Sequence, residues 1–416
     1  MTQQNSFELS IEAIANGGAG MGFHRRQPVF VPYTIPGERV IARPVEHAER
    51  HIIAEGVKLL DASADRVYPV CAHFGPGRCG RCQWQHINYE TQLLLKQDIL
   101  ADQLGRLGGL TDRELENALR PVIASPDQWG YNYQMTFNVT ADHKLAFPSA
   151  DGKSYFPIEV CHILHPDLLD LYGQLDLELE GIKRVRLQLD SNNERMIVLS
   201  LEQDEAPELE TDLNASINVL LPDNEPMNLI GDSHSRYVIN ERRFRVTAGS
   251  AFRANLSQMP NLITTVMGLL DLHGSETLLD LYAGVGVFSA FAAPNTSLVT
   301  LVESYPPAVT DADENLADFE NVDVIEGSVE EVLETIEEAY DAAIVDPPSR
   351  GLSKEVIDGL VGTQAAKLVY ISEDPASLAR DAKRLSQQGY RLAVAQPLDF
   401  APQTYYLETA ALFVRI

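Results

Sequence analysis

The sequence predicts an α/β protein whose C-terminal part is a doubly wound parallel sheet, preceded by a small N-terminal β-barrel and a β-rich central part. Three observations carry that prediction. From residue 277 onward, short apolar β-type runs alternate with helix-type runs, as strand–helix–strand crossovers require. Residues 7–60 instead hold closely spaced β-type runs broken by Gly and Pro turns, the pattern of a small barrel. And 416 residues, 45% of them hydrophobic, are too many for one ordinary core and enough to fold fully. The division this suggests is 1–62, 63–245 and 246–416.

In the C-terminal part, residues 278–282 form an apolar strand that runs into Ala283-Gly284-Val285-Gly286, and a helix is predicted to start near Phe288. Glycines allow a tight turn and close approach of a ligand, and the helix beyond offers free N–H groups, so the stretch makes a nucleotide-type pocket. Dinucleotides and S-adenosylmethionine both use such a turn. Residues 297–302 form the next strand, ending in Glu303, where a carboxylate can accept from both ribose hydroxyls. The strand 342–345 leads into Asp346-Pro347-Pro348, a feature common in methyltransferase pockets and not required by a dinucleotide, which favours S-adenosylmethionine. Further elements are predicted at 309–319, 322–325, 329–339, 367–371, 375–388 and 390–395, with the strand 406–414 closing the sheet.

The net charge of −28 looks wrong for a nucleic-acid binder until it is divided along the chain. Residues 1–161 are nearly balanced, at 15 basic against 18 acidic, whereas 162–240 hold 5 against 16 and 241–416 hold 12 against 26. Glu330-Glu331 and Glu337-Glu338 read as the solvated face of one helix, and residues 202–212 as an acidic loop after the paired strands 185–189 and 196–201. No run of eighteen apolar residues exists and residues 1–10 are polar, so a cytoplasmic protein with no membrane partner is expected.

The chain holds four cysteines: Cys71, Cys79 and Cys82 in a Gly/Pro-rich loop, and Cys161. In a cytoplasmic chain these argue for a metal or cluster site rather than disulfides. One Cys-x-x-Cys joined by two single cysteines suits an iron–sulfur cluster better than zinc, which usually takes two close pairs. His73 and His86 read as packing or surface residues.

Several motifs together resemble the RNA uracil-C5 methyltransferases that act on tRNA and rRNA. The turns Gly17-Gly18-Ala19-Gly20 and Pro36-Gly37-Glu38-Arg39-Val40 resemble a TRAM domain, an OB-like RNA-binding barrel. Cys79-Gly80-Arg81-Cys82-Gln83-Trp84-Gln85-His86, followed by Tyr89, Gln92 and Lys96, is similar to the family's 4Fe-4S box, with a first cysteine gap of seven residues where five is typical. Asp280, Tyr282, Gly284, Gly286, Glu303 and Asp346 stand at family cofactor positions, so the resemblance implies a class I methyltransferase sheet binding S-adenosylmethionine, a 4Fe-4S cluster on Cys71, Cys79, Cys82 and Cys161, and RNA (rRNA or tRNA) as partner; a monomer is the expectation, though the sequence does not set the oligomeric state.

Methylation at uracil carbon 5 needs a thiolate that adds to carbon 6 and a base that removes the carbon 5 proton. The family carries the base in Pro-x-Thr-x-x-x-Glu, present here as Pro402 to Glu408, which makes Glu408 the candidate base. It carries the thiolate in Ser-Cys-Asn-Pro, which here reads Ser372-Glu373-Asp374-Pro375, so Glu373 stands where the nucleophile belongs. A carboxylate is a far poorer nucleophile toward a soft carbon, which leaves Glu373 to serve as a base, as an electrostatic element or not at all. The family's Phe-Gln-x-Asn, whose glutamine touches the cofactor, reads Phe252-Arg253-Ala254-Asn255, and Arg253 could grip the cofactor or block its pocket. Tyr131-Asn132-Tyr133-Gln134 lacks the family's basic residues, and Asp-Pro-Pro-Arg becomes Asp346-Pro347-Pro348-Ser349, with Arg350 one place later. The expectation is an S-adenosylmethionine-dependent RNA methyltransferase whose uracil-C5 chemistry is compromised. Its rivals are methyl transfer to another atom or substrate, and a non-catalytic RNA-binding protein that keeps the pocket.

Overall fold

The computed structural model describes residues 6–175, 179–207 and 211–416. Within residues 246–416 the sheet holds seven strands, in the order Val322–Glu326, Leu298–Glu303, Thr277–Leu281, Ala342–Val345, Lys367–Ser372, Glu408–Arg415 and Tyr390–Leu398. The first five pair in parallel. Glu408–Arg415 runs antiparallel to both of its neighbours. Both faces are covered, which is why the strands read as continuous apolar runs. One face packs on Leu262, Ile263 and Val266 of the helix Met259–Leu270 and on Ala308 and Ala312 of Pro306–Leu316. The other packs on Val329–Thr335, Lys354–Gly362 and Pro375–Gln387.

The last strand departs from expectation in place, starting at Glu408 and entering the sheet between two strands rather than at its edge. Its consecutive apolar residues Ala410, Ala411, Leu412 and Phe413 suit a position flanked on both sides. The helix at Val329–Thr335 stops short of Glu337 and Glu338, which lie exposed in the loop after it. The helix predicted over 309–319 begins earlier, because Pro306 and Pro307 supply a favourable first turn.

The N-terminal strands form one six-stranded sheet, Phe7–Ser10 to Ile52–Asp61, around Leu9, Ile11, Val29, Val31, Val40 and Ile52. It is curled tightly enough that a Cβ on Gly22 would lie 2.1 Å from the Ser10 carbonyl oxygen. A second seven-stranded sheet spans Gln134–Val139 to Pro226–Ile230. It contains the anticipated pair, Ile182–Leu189 against Arg195–Leu201. Part of the acidic stretch 202–212, residues 208–210, and residues 1–5 of the polar N-terminal stretch lie outside the described residues. No helix among the described residues is long and apolar enough to cross a membrane.

Two elements that sequence reading did not anticipate tie these parts together. The helix Tyr89–Arg106, capped by Asn88, sends Leu100 and Leu104 into the core beneath the C-terminal sheet. The hairpin His234–Ile239 and Arg242–Thr247 packs Tyr237, Ile239, Phe244 and Val246 on the opposite face of that sheet.

Candidate active site

At the C-terminal ends of the parallel strands the chain turns through left-handed backbone at Tyr282 (φ 58°), Gly284 (φ 56°) and Gly286 (φ 80°). This is the place where open α/β sheets bind ligands. Gly284 N donates to Glu303 Oε2 at 2.9 Å, while Ser304 N and Tyr305 N donate to Oε1 at 2.7 and 2.8 Å, so backbone amides fix the Glu303 carboxylate in place. Gly286 serves packing: a Cβ there would lie 2.8 Å from Leu316 Cδ1. A Cβ on Gly284 would meet no atom within 4 Å.

Beside this turn lies a cavity of about 750 Å³ whose walls include Tyr282, Gly284, Glu303, Arg253, Asp346, Glu373 and Glu408. Seven of the nine residues singled out from the sequence for the cofactor or the chemistry therefore meet in one space. Gly286 and Asp280 do not line it. Asp280 sits fully buried beneath the turn, where Oδ2 accepts from Ser289 Oγ at 2.7 Å and Oδ1 has no partner among the described residues. Burial pushes its carboxyl up to about 7.

The opposite wall is an ionic cluster. Arg253 Nη2 donates to both carboxylate oxygens of Asp346 at 3.0 Å, and its Nε donates to Glu408 Oε2 at 2.8 Å. The guanidinium also lies 5.9 and 5.8 Å from the ring centres of Phe288 and Phe400. Burial works against its charge, yet Asp346 and then Glu408 outweigh that and stabilise the cation. Burial pushes the Glu408 carboxyl up to about 7; Arg253 opposes the shift, while Glu373 and Asp346 add to it. Burial likewise raises Asp346, against the pull of Arg253. Glu373 stands exposed just beyond the strand Lys367–Ser372, with no hydrogen bond among the described residues, and lines a neighbouring cavity of about 630 Å³ as well. That second cavity carries Arg350, Arg380, Tyr405, Tyr406 and, from the turn between the N-terminal strands Ala13–Ile14 and Gly20–His24, Asn16 and Gly17.

The loop leading to Glu408 is held from the helix Tyr89–Arg106. Lys96 Nζ donates to Asp399 Oδ1 at 2.6 Å, with both side chains fully buried, and to the Ala401 carbonyl at 3.1 Å. Gln92 exchanges two hydrogen bonds with Gln403, at 3.0 and 2.9 Å. Gln83 N and Trp84 N donate to the Gln403 carbonyl, and Trp84 Nε1 donates to the Gly18 carbonyl. The residues after the cysteine pair thus join the N-terminal sheet to the Glu408 loop.

The four cysteines line one small cavity of about 20 Å³. No group of three or more Cys, His, Asp or Glu stands in metal-binding geometry among the described residues. Burial pushes the Cys82 thiol up to about 12 and that of Cys161 to about 11. His86 is buried against Tyr33 and Phe74, and burial lowers its imidazole to about 3. His73 Nε2 accepts from Glu159 N, its ring lies 5.3 Å from that of Phe156, and together with His162 it lines the cysteine cavity.

The family model for tRNA (uracil-5-)-methyltransferase matches residues 235–416. Over 98% of its length the chain is 33% identical to an uncharacterized RNA methyltransferase of Streptomyces avermitilis, covering 97% of that relative. The chain belongs to this RNA methyltransferase family. A second relative, from Streptomyces coelicolor, is 32% identical over 98% of this methyltransferase and 92% of its own length. The fold matches that of a Pyrococcus abyssi tRNA (uracil-54, C5)-methyltransferase solved with S-adenosyl-L-homocysteine, at a TM-score of 0.75 and 22% identity, covering 98% of this chain and all of that one. The methyltransferase sheet is therefore of the class I type.

Sequence reading missed the aromatic wall of Phe288, Phe400 and Tyr406. Those residues carry no motif signal, since an aromatic beside a strand end reads as core. It also missed that Arg253 joins Asp346 to Glu408, a contact spanning 155 residues of sequence.

Proposed function

We propose that this RNA methyltransferase binds S-adenosylmethionine in the 750 Å³ cavity and transfers its methyl group to a nucleotide of tRNA or rRNA, with Glu408 accepting the proton displaced. The observation that carries this is that the Gly284–Glu303 turn and Glu408 face the same cavity. Glu303, held by three backbone amides, would accept from the ribose hydroxyls. Tyr282, Gly284 and Asp346 would line the rest of the cofactor, with Asp280 and Gly286 holding the turn from behind. When bound, the cofactor supplies an electrophilic methyl group. Glu408, with a carboxyl raised to about 7, is suited to take up a proton near neutral pH. No cysteine lines the cavity, which favours a reaction without a thiolate adduct.

RNA is proposed to enter across the second cavity, which opens beside Glu373 and Tyr406. Arg350 and Arg380 would meet backbone phosphates, and Tyr405 and Tyr406 would stack on bases. The TRAM-like barrel proposed over residues 1–62 contributes Asn16 and Gly17 to that surface; in the same division the cysteine loop belongs to the central part 63–245 and the methyltransferase sheet to 246–416.

The cysteine site fits a 4Fe-4S cluster by its thiol donors, since all four share one cavity, beside His73 and His162 and with no carboxylate among its walls. Cys71, Cys79, Cys82 and Cys161 would hold it, and its proposed contribution is to brace the loop that carries Gln83 and Trp84. Iron and acid-labile sulfide in anaerobically purified protein support the cluster; zinc in their place contradicts it.

The test of the activity is transfer of labelled methyl from S-adenosylmethionine to total RNA from a strain lacking this protein. Nuclease-sensitive label is the expected result. Tight cofactor binding with no label in any RNA would overturn it in favour of a non-catalytic RNA-binding protein.

A further inference from the structure

We propose that Arg253 is a positioning residue that holds Glu408 as the acceptor for a ring N–H proton, so that the methyl group goes to the ring nitrogen of a uracil or guanine. This rests on the reading of Glu408 as the base, and it adds the class of acceptor atom and the residue that makes a carboxylate sufficient.

The geometry starts with three acids around one cation. Asp346, Glu373 and Glu408 come from the ends of three adjacent strands and all line the cavity. Arg253 reaches across from the segment before Met259–Leu270 and is the single cationic side chain among the described residues on that wall. Its Nη2 occupies both oxygens of Asp346, so Asp346 is committed to holding the guanidinium. Its Nε takes Oε2 of Glu408, which leaves Oε1 with no hydrogen bond among the described residues. Glu408 is thus anchored by one oxygen and presents the other, as an oriented base requires. Cation–π contacts with Phe288 and Phe400, whose ring centres lie 5.9 and 5.8 Å away, add to the hold on the guanidinium.

The same arrangement restricts the acceptor. Activating a pyrimidine carbon requires a nucleophile to add to the neighbouring carbon, and all four thiols face a different cavity. Even raised to about 7, a carboxylate is too weak a base to ionise a ribose hydroxyl ahead of methyl transfer, and it stands much nearer in basicity to the anion of an acidic ring N–H. The imide N–H of uracil and the lactam N–H of guanine are the most acidic ring protons of the ordinary nucleobases. Their anions delocalise onto adjacent carbonyl oxygens. In the proposed step the N–H proton passes to Glu408 Oε1 and the nitrogen lone pair forms the bond to the methyl carbon. The carbon–sulfur bond breaks, its electrons stay on sulfur, and the sulfonium becomes a neutral thioether.

Glu408 is faced by Arg253, Asp346 and Glu373, so removing the arginine leaves only like charges. Arg253→Gln is therefore expected to raise the pH at which Glu408 ionises above about 7, leaving it more protonated at neutral pH. The rate at pH 7 should then fall about tenfold or more and recover at alkaline pH, with the change in kcat and little in the KM for cofactor. Arg253→Lys, which keeps the charge without the fork, should restore the pH midpoint while leaving the rate reduced.

The experiment combines nucleoside mass spectrometry of the methylated RNA with ¹³C NMR titration of labelled glutamate carboxylates in wild type, Arg253→Gln and Arg253→Lys. A product of 3-methyluridine or 1-methylguanosine supports the inference and says which base is read. A product of 5-methyluridine, a ribose-methylated nucleoside, or a methylated adenosine or cytidine overturns it. A Glu408 midpoint unchanged in Arg253→Gln overturns the role of Arg253. The titration needs no turnover, so total absence of transfer with a shifted midpoint would sink the proposed activity and leave the arginine–glutamate coupling standing.

Discussion

The two halves of the main cavity are built in different ways. On the cofactor side, Glu303 is fixed by the amides of Gly284, Ser304 and Tyr305, all within a short reach of the strands that carry them. On the proposed acceptor side, Arg253, Glu373 and Glu408 arrive from three separated segments and are organised by charge, with Asp346 tying Arg253 back to the cofactor side. A site made by backbone tolerates side-chain change, whereas a site made by ion pairs changes its chemistry with one residue. A turn of this kind can therefore persist through side-chain changes that would alter the chemistry of the charged side.

The comparison can be broken most directly at Glu408. Glu408→Gln should lower methyl transfer by about 10²–10⁴-fold, the usual worth of a general base, with cofactor affinity unchanged by calorimetry. A loss of cofactor affinity of similar size would mean the halves are not separable. Next in size is the brace beneath the acceptor loop. Lys96→Met strands Asp399 in a fully buried place and should cost about 3–5 kcal/mol in urea unfolding, while Lys96→Met with Asp399→Leu should recover much of it. Equal loss in the single and double variants would show that the pair itself, rather than the orphaned charge, was what mattered.

On the cofactor side, Gly286→Ala and Gly284→Ala sharpen the contrast between packing and access. Both add left-handed strain of about 1–2 kcal/mol, but only Gly286→Ala also drives a methyl group into Leu316, so it should be the less stable variant. Gly284→Ala should show its effect in cofactor affinity instead.

Ionisation adds a pH-dependent distinction. The folded Glu408 carboxyl lies near 7, above its ordinary value of 4.5, so the folded state holds the proton longer than the unfolded state. Stability contributed by this group is present at low pH and falls as pH rises from about 4.5 through about 7. The stability gap between wild type and Glu408→Gln should therefore move in favour of the glutamine variant across that window. The smallest expected effect is on RNA: Arg350→Ala with Arg380→Ala should flatten the salt dependence of RNA binding by about 0.7 per lost single-strand phosphate contact, leaving cofactor affinity intact.

Much of the fold was legible because its signals are local. The Leu278–Gly286 turn, the Asp346-Pro347-Pro348 strand end and the alternation after residue 277 each report on neighbours in sequence, and the sheet follows. The central helix Tyr89–Arg106 was not legible, because its buried face includes Gln92, Lys96 and Gln103, polar residues that find partners only after folding. The insertion of Glu408–Arg415 between two strands was hidden for a related reason: an apolar run states burial and not which neighbours provide it. Arg253 and Glu408 were each singled out, but their contact depends on tertiary structure alone.

The most direct test of a cavity that transfers methyl groups with a base and no thiolate uses RNA in which uridine is replaced by 5-fluorouridine, incubated with methyl-labelled S-adenosylmethionine and resolved on a denaturing gel. Addition of a thiolate to carbon 6 traps the protein on such RNA, because fluorine cannot leave as the proton would. The arrangement of Arg253 and Glu408 predicts label in free RNA and none migrating with protein. A denaturant-stable complex of protein and RNA would contradict it.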